Sequence, residues 1–312
     1  MRDTLALQST QARTPAAANI LGVGNQEELI KQWLILGTRR KPRPNTVKAY
    51  LRDVTGFVAF VGKPIHRVTQ ADVAKWTNAI QSKSLSTQRR MIGAVKSLYT
   101  YANRGGYLAA HGWMNPTVNL HLPPEDPQLA TRILPEEEVV GMIVKTEKPR
   151  DRALLSLLYA GGLRVSEAVG LKWKDLYPAT GEAVGKGIAG YRNVYRKGGK
   201  TEPVGLPTKT WQLIQSLRQG AAENDPVFRG YGGRQLTTSG VWRIVRAAAI
   251  RAGITKAVSP HWLRHCCASH SLDRGANVGL VKEHLGHSTV AVTSRYIHAK
   301  PSDSASTYLV GV

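Results

Sequence analysis

The chain has 312 residues, enough for two domains of roughly 100 to 200 residues each. Its 43 Lys and Arg against 21 Asp and Glu give a net charge of +22, which points to an extended polyanion as partner, nucleic acid well ahead of an acidic membrane surface. No run of about 18 apolar residues is present to span a bilayer, and the opening residues lack a signal peptide's continuous apolar stretch, so a soluble, cytoplasmic, nucleoid-associated protein with no membrane partner is expected.

Residues 1–23, rich in Ala, Thr, Gln and Arg without an apolar period, read as a flexible N-terminal arm. From Asn25 the pattern becomes helical. Leu29, Ile30, Trp33 and Leu34, then Val47, Tyr50, Leu51, Val54, Phe57, Val58 and Val61 beyond the basic RRKPRPN, recur at steps of three and four and predict two amphipathic helices. TQAD at 69–72 is a Thr-x-x-Asp start for a third helix carrying Val73 and Trp76. STQRRMIGAVKSLYTYANRGG predicts a fourth, ending at Gly105 and Gly106. Residues 24–118 are therefore expected to form an all-helical domain, and the proline-rich 119–134 a linker. Arg39, Arg40, Lys41, Arg43, Lys48, Arg89, Arg90 and Lys96 make either a solvated face or, as this charge excess favours, phosphate contacts forming one jaw of a clamp on duplex DNA.

Beyond the linker, PEEEVVGMIVKT opens a helix with Pro135 at its first position and three acids on the positive end of the dipole. RDRALLSLLYAGG continues the helical pattern. The period then changes: GYRNVYRKGGKTEPVGLP predicts a β-hairpin with Lys197 and Lys200 at its turn. From Thr208 the signals are helical again, with caps or starts at Thr238, Ser259 followed by Pro260, Asn277 and Ser288. The second half thus reads as an α+β domain over 135–300 with a tail at 301–312.

Four pieces of this half carry chemistry: GGLRVSEAVGLKWKDL, RKGGKTEPVGL, HWLRH and LGHSTVAVTSRYIH. Singly, each has a bland reading as a turn arginine, a hairpin lysine, a capping histidine or a packed tyrosine. Together they hold what metal-free attack at phosphorus requires. Two guanidiniums can clamp non-bridging oxygens as negative charge develops on them. A phenol can be the nucleophile, and a lysine or histidine can protonate the departing sugar oxygen. The competing reading of SPHWLRHCCASH is a metal centre, since His261 and His265 share a helix face and Cys266 adds a thiol. Against it stand the lack of a Cys-x-x-Cys pair and the fixed charge of Arg264 among the would-be ligands. His265, Cys266, Cys267 and His270 are accordingly read as packing and orientation residues.

In this order and spacing the four pieces resemble the signature boxes of the tyrosine recombinases, the phage integrase family, and its compact Xer-like members above all. The resemblance spans about residues 135–300, and NTVKAYLRDVTGFVAFVG resembles the family's helical core-binding domain. It implies a mainly α fold with a small β-sheet: an N-terminal all-helical, SAM-like core-binding domain and an α+β catalytic domain. It implies that Arg164 and Arg264 hold the scissile phosphate, Lys197 is the general acid, His261 assists proton transfer, His287 bonds a phosphate oxygen and Tyr296 attacks. The enzyme so implied is a site-specific recombinase working through a 3′-phosphotyrosyl intermediate and a Holliday junction, in integration, excision or resolution. It would act as a homotetramer on two DNA sites, with accessory DNA-bending or directionality proteins as further candidates and no cofactor or metal. The tail's Tyr308, Leu309 and Val310 resemble family tails that dock into a neighbouring subunit. Lys186, in a second GKG at 185–187, rivals Lys197. Two other readings stay open: a type IB topoisomerase, and a non-catalytic DNA-binding regulator on the same scaffold.

Overall fold

The computed structural model describes residues 26–37, 44–124, 130–195, 201–287 and 289–296. The arm at 1–23, the tail at 301–312, the hairpin turn with Lys197 and Lys200, and Arg39, Arg40, Lys41 and Arg43 lie outside them. The described residues form two compact units divided between 126 and 127. No helix among them is long and apolar enough to cross a membrane.

The first unit is helical. Helix α1 (Gln26–Gln32) runs into a π-helical turn at Trp33–Gly37, followed by α2 (Pro44–Val61), α3 (Gln70–Ala79), α4 (Leu85–Arg104) and the single turn α5 (Tyr107–Ala110). Helix α3 starts where its sequence signal lies. Thr69 Oγ1 accepts from the Asp72 amide, and the Asp72 carboxylate accepts from the Thr69 amide at 2.9 Å. That amide bond, with Lys63 and the Thr69 hydroxyl, pulls Asp72 down to about 2. The core joins the inward faces of α2, α3 and α4: Phe57 meets Trp76 edge-on at 4.9 Å and Tyr99 at 6.2 Å, and the buried Tyr99 donates its hydroxyl proton to Ile65 O. Leu51, expected inside from its spacing, is instead exposed.

The basic residues of α4 behave differently from a solvated stripe. Arg89 donates to Pro123 O and Lys96 to Leu120 O, so cations seven positions apart on one face fasten the segment 120–123 along the helix. Arg90 pairs with Asp53, which is buried. All three side chains are therefore engaged by protein acceptors, whereas Lys48 is exposed.

The second unit surrounds helix α7 (Pro149–Ala160), whose Ala153, Leu154, Leu155, Leu157 and Leu158 are all fully buried. Against it pack α6 (Glu136–Val144), α10 (Thr208–Gln215) and α12 (Pro260–Asp273). The other helices are α8 (Val165–Gly170), α9 (Glu182–Gly185), α11 (Thr238–Arg251), α13 (Val278–Leu285) and α14 (Val290–Ser294). The hairpin strands β2 (Ile188–Tyr195) and β3 (Thr201–Pro207) pair antiparallel, and β1 (Leu176–Pro178) adds to β2, giving the sheet order β1-β2-β3. Strand β1 carried no sequence signal, being three residues directly after a short 3₁₀ turn.

One helix start shifts by one residue. Pro135 is the cap of α6 rather than its first residue. Helix α14 has Thr289 as its cap, and the start read at Ser288 lies outside the described residues. Helix α11 starts at Thr238 as its sequence signal indicates, capped by Thr237, whose Oγ1 accepts from the Gly240 amide at 3.1 Å. Ser259 and Asn277 cap α12 and α13 as their sequence signals indicate. The linker read at 119–134 is anchored at its far end too. Leu134 is fully buried; its amide donates to Cys266 Sγ, and its carbonyl accepts from His270 Nε2 at 3.0 Å.

Candidate active site

The site is built where the turn after α7, the first turns of α12 and the end of α13 meet. Ser259 in extended backbone and Pro260 at the first helical position fix the start of α12. From there His261, Arg264 and His265 follow at helical spacing, and His261 and His265 hold their rings 6.5 Å apart on one face.

Arg264 is the organising residue. It is buried, and its guanidinium donates through Nη1 to Gly162 O at 2.5 Å and through Nη2 to Leu285 O at 2.6 Å. The first bond reaches the α7–α8 turn and the second the end of α13. Burial, and then the neighbouring Arg164, push the guanidinium down to about 10, which leaves it charged at neutral pH. Arg164 approaches the same place: its Nη2 points to Gly286 O at 3.4 Å. Its Nη1 donates to Glu167 Oε1 at 2.8 Å, and its amide to Glu167 Oε2 at 2.9 Å. Burial raises the Glu167 carboxyl, but the amide and guanidinium of Arg164 outweigh it and hold the group below its ordinary value. Glu167 thus stays ionised and fixes the arginine rotamer.

Gly162 makes the close approach possible. It has φ +58°, and a Cβ there would lie 2.4 Å from Leu285 Cδ2 and 3.2 Å from Cys267 Sγ. Gly162→Ala is expected to lower stability by about 2–4 kcal/mol, combining left-handed strain with overpacking. Urea denaturation of the variant against wild type measures it, and an unchanged midpoint would refute this account of the turn.

The last turn brings in the histidine and the phenol. His287 Nδ1 bonds Thr293 Oγ1 at 2.8 Å, and Thr293 is fully buried. The rings of His287 and Tyr296 lie parallel with centroids 6.4 Å apart. Tyr296 is 5% exposed, and its hydroxyl meets His265 Nδ1 at 2.5 Å. Burial raises the phenol above its ordinary value, against the opposing pull of Arg264 and Arg295. Partial desolvation, then Arg264 and Arg164, lower His261.

Of the six residues singled out from sequence, Arg164, His261, Arg264, His287 and Tyr296 are brought into one neighbourhood, and Lys197 lies outside the described residues. The contact that sequence reasoning missed is His265 with Tyr296, residues 31 positions apart. His284 sets its Nε2 3.0 Å from Ala160 O and ties α13 to α7. Burial raises the Cys266 and Cys267 thiols to about 11 and about 12, and Cys266 Sγ accepts from the Leu134 amide. Among the described residues no three His, Cys, Asp or Glu side chains are grouped as a metal ion requires.

Comparison with known proteins agrees with this architecture. Residues 132–303 match the phage integrase family, and residues 30–106 the N-terminal SAM-like domain of phage integrases. Tyrosine recombinase XerD of Listeria innocua is 30% identical over 269 residues, which cover 81% of this chain and 88% of the relative. Tyrosine recombinase XerC of Pelobacter propionicus is 31% identical over 282 residues, covering 85% and 88%. The fold is shared with the XerH recombinase in its pre-cleavage complex with difH, at TM-score 0.66 and 19% identity over 93% of this chain and 83% of that one. It is shared also with a lambda integrase tetramer bound to a Holliday junction, at TM-score 0.68 and 14% identity over 89% and 79%. With a family match across more than half its length and relatives of this identity along most of theirs, the chain belongs to the phage integrase family, the tyrosine recombinases.

Proposed function

We propose that the chain cuts and rejoins duplex DNA at a specific site through a 3′-phosphotyrosyl intermediate on Tyr296. The observation that carries this reading is the meeting of two guanidiniums, Arg164 and Arg264, with His261, His287 and a buried phenol around the end of α13. Arg164 and Arg264 hold the non-bridging oxygens, where their charge is worth most as the pentacoordinate state gathers negative charge. His287 bonds one of those oxygens, and His261 assists proton transfer. Tyr296 attacks phosphorus, the bond to the 5′-oxygen breaks, and Lys197 protonates that oxygen. The phosphotyrosyl bond retains the energy of the broken diester, so the exchange needs no nucleotide or other cofactor.

The polyanion is double-stranded DNA, drawn by the +22 charge. Arg39, Arg40, Lys41, Arg43 and Lys48 are proposed to contact its phosphates; Arg89, Arg90 and Lys96, which hold protein acceptors, add to the field. The lambda integrase neighbour is a tetramer on a Holliday junction, and the same assembly on two sites is proposed here, with the tail at 301–312 docking between subunits and accessory proteins setting direction.

Lys186 is the weaker claimant to the acid role. It precedes β2 in sequence, while Lys197 follows that eight-residue strand. Lys186 is also paired with Glu182 at 2.6 Å. The test is selection of bound duplex from a random pool, then trapping of the covalent adduct on a nicked version of the selected site. Lys197→Ala is expected to lose strand cleavage by about 10²-fold or more with binding nearly intact, and Lys186→Ala to cleave normally. The reverse pattern moves the acid to Lys186. Relaxation of any supercoiled plasmid by the monomer would instead favour a type IB topoisomerase, and absence of any adduct a non-catalytic DNA-binding protein.

A further inference from the structure

The nucleophilic oxygen of a tyrosine must lose its proton as it attacks, and the structure holds one imidazole directly against that oxygen. His265 Nδ1 lies 2.5 Å from Tyr296 Oη, and the rings sit 5.6 Å apart, tilted by 37°. His261, the histidine to which proton transfer was assigned, is one turn away on the same face of α12. We propose that His265 is the proton acceptor for Tyr296, a catalytic residue that both aims the phenol oxygen and receives its hydrogen during attack. This rests on Tyr296 being the nucleophile.

The direction of the resting hydrogen bond follows from the surroundings. His265 is faced by His261 and Arg264 from α12, by Arg132 from the turn at 130–132, and by Arg295 and Tyr296 from the end of α14. Burial first, and then those cationic neighbours, push it down to about 4. At neutral pH the ring is therefore uncharged. Burial keeps the phenol protonated, so Tyr296 O–H donates and Nδ1 accepts, which places the ring's own hydrogen on Nε2.

The same cations make proton acceptance conditional. Without DNA, an imidazolium beside Arg264, Arg132 and Arg295 is unfavourable, and the phenol stays neutral and unreactive. A phosphodiester drawn between Arg164 and Arg264 brings the compensating negative charge, which grows as the transition state forms. The phenol also becomes far more acidic as its oxygen bonds to phosphorus. The Tyr296 O–P bond then forms and the P–O5′ bond breaks; the phenolic proton passes to His265 Nδ1, and O5′ takes a proton from Lys197. In the return step the incoming 5′-hydroxyl gives its proton to Lys197 and the leaving tyrosine oxygen recovers its own from His265. No outside acid, base or oxidant enters.

The experiment measures single-turnover adduct formation on the nicked duplex carrying the selected site. His265→Phe is expected to slow it about 10²-fold or more with duplex binding retained. His265→Asn sets an amide oxygen where Nδ1 stood, keeps the hydrogen bond without accepting the proton, and should be about tenfold faster than His265→Phe. On the same duplex with sulfur at the 5′-bridging position, the departing thiolate needs no proton, so Lys197→Ala recovers and His265→Phe does not. Wild-type rates in His265→Phe, no gain in His265→Asn, or recovery of His265→Phe on the sulfur substrate would each overturn the proposal. An adduct in Tyr296→Phe would overturn the nucleophile assignment itself, which separates the two failures. Should His265→Phe fail to fold, ¹⁵N-histidine spectra of the intact wild-type chain decide. An unprotonated His265 Nδ1 that shifts in Tyr296→Phe supports the proposal; a protonated one ends it.

Discussion

Tyr296→Phe is expected to abolish the covalent adduct while leaving duplex binding nearly unchanged. The variant has no oxygen with which to form a phosphotyrosyl bond, and the α14 hydroxyls are engaged elsewhere: Thr293 is fully buried and bonded to His287 Nδ1, and Ser294 donates to Val290 O. Binding survives because Arg164 and Arg264 are held by Glu167, Gly162 and Leu285, none of which touches the phenol oxygen. Stability should fall by only about 1 kcal/mol, the cost of leaving His265 Nδ1 without its donor while the ring keeps its packing. The measurements are denaturing-gel detection of the adduct on the nicked site, equilibrium binding to the intact site, and urea denaturation. A second tyrosine forming the adduct in this variant would displace Tyr296 from its role.

Arg164, His261, Arg264, His287 and Tyr296, which the structure brings together, were singled out in sequence, whereas His265 and the partners that hold them were not. Each signature residue sits in a local pattern that sequence displays: a Gly-Gly turn before Arg164, a Ser-Pro helix start before His261, a glycine before His287. Helix periodicity likewise exposes the inward faces of α2, α4 and α7, because burial of one face is a property of spacing alone. What lies across from a face depends on chain segments far away. Arg264 reads as a phosphate ligand, but its bonds to Gly162 O and Leu285 O reach 102 and 21 residues along the chain. His265 reads as packing because nothing local links it to a tyrosine 31 residues on. The basic face of α4 suggests phosphate, yet the segment 120–123 supplies carbonyl acceptors for Arg89 and Lys96. The error of one residue at the start of α6 has a simpler origin. Pro135 suits the cap or the first helical position, and only backbone geometry decides which it takes.

Arg264→Ala should damage fold and chemistry together, and Arg264→Lys separates the two. The alanine variant leaves Gly162 O and Leu285 O without their buried donor, at about 1–3 kcal/mol each, so a loss of about 2–6 kcal/mol is expected in urea denaturation. It also loosens the end of α13 from the α7–α8 turn, which carries Gly286 and His287 away from Arg164. Lysine restores charge and most of the volume, but one ammonium cannot span two carbonyls and a phosphate oxygen as a planar fork does. Arg264→Lys should therefore regain about half of the lost stability and still cleave at least about 10²-fold more slowly than wild type. Cleavage near the wild-type rate in Arg264→Lys would mean that charge alone, without the fork that ties two loops to one phosphate, is sufficient. Wild-type stability in Arg264→Ala would mean that the two carbonyls find other donors, and that the burial of this guanidinium serves the phosphate alone.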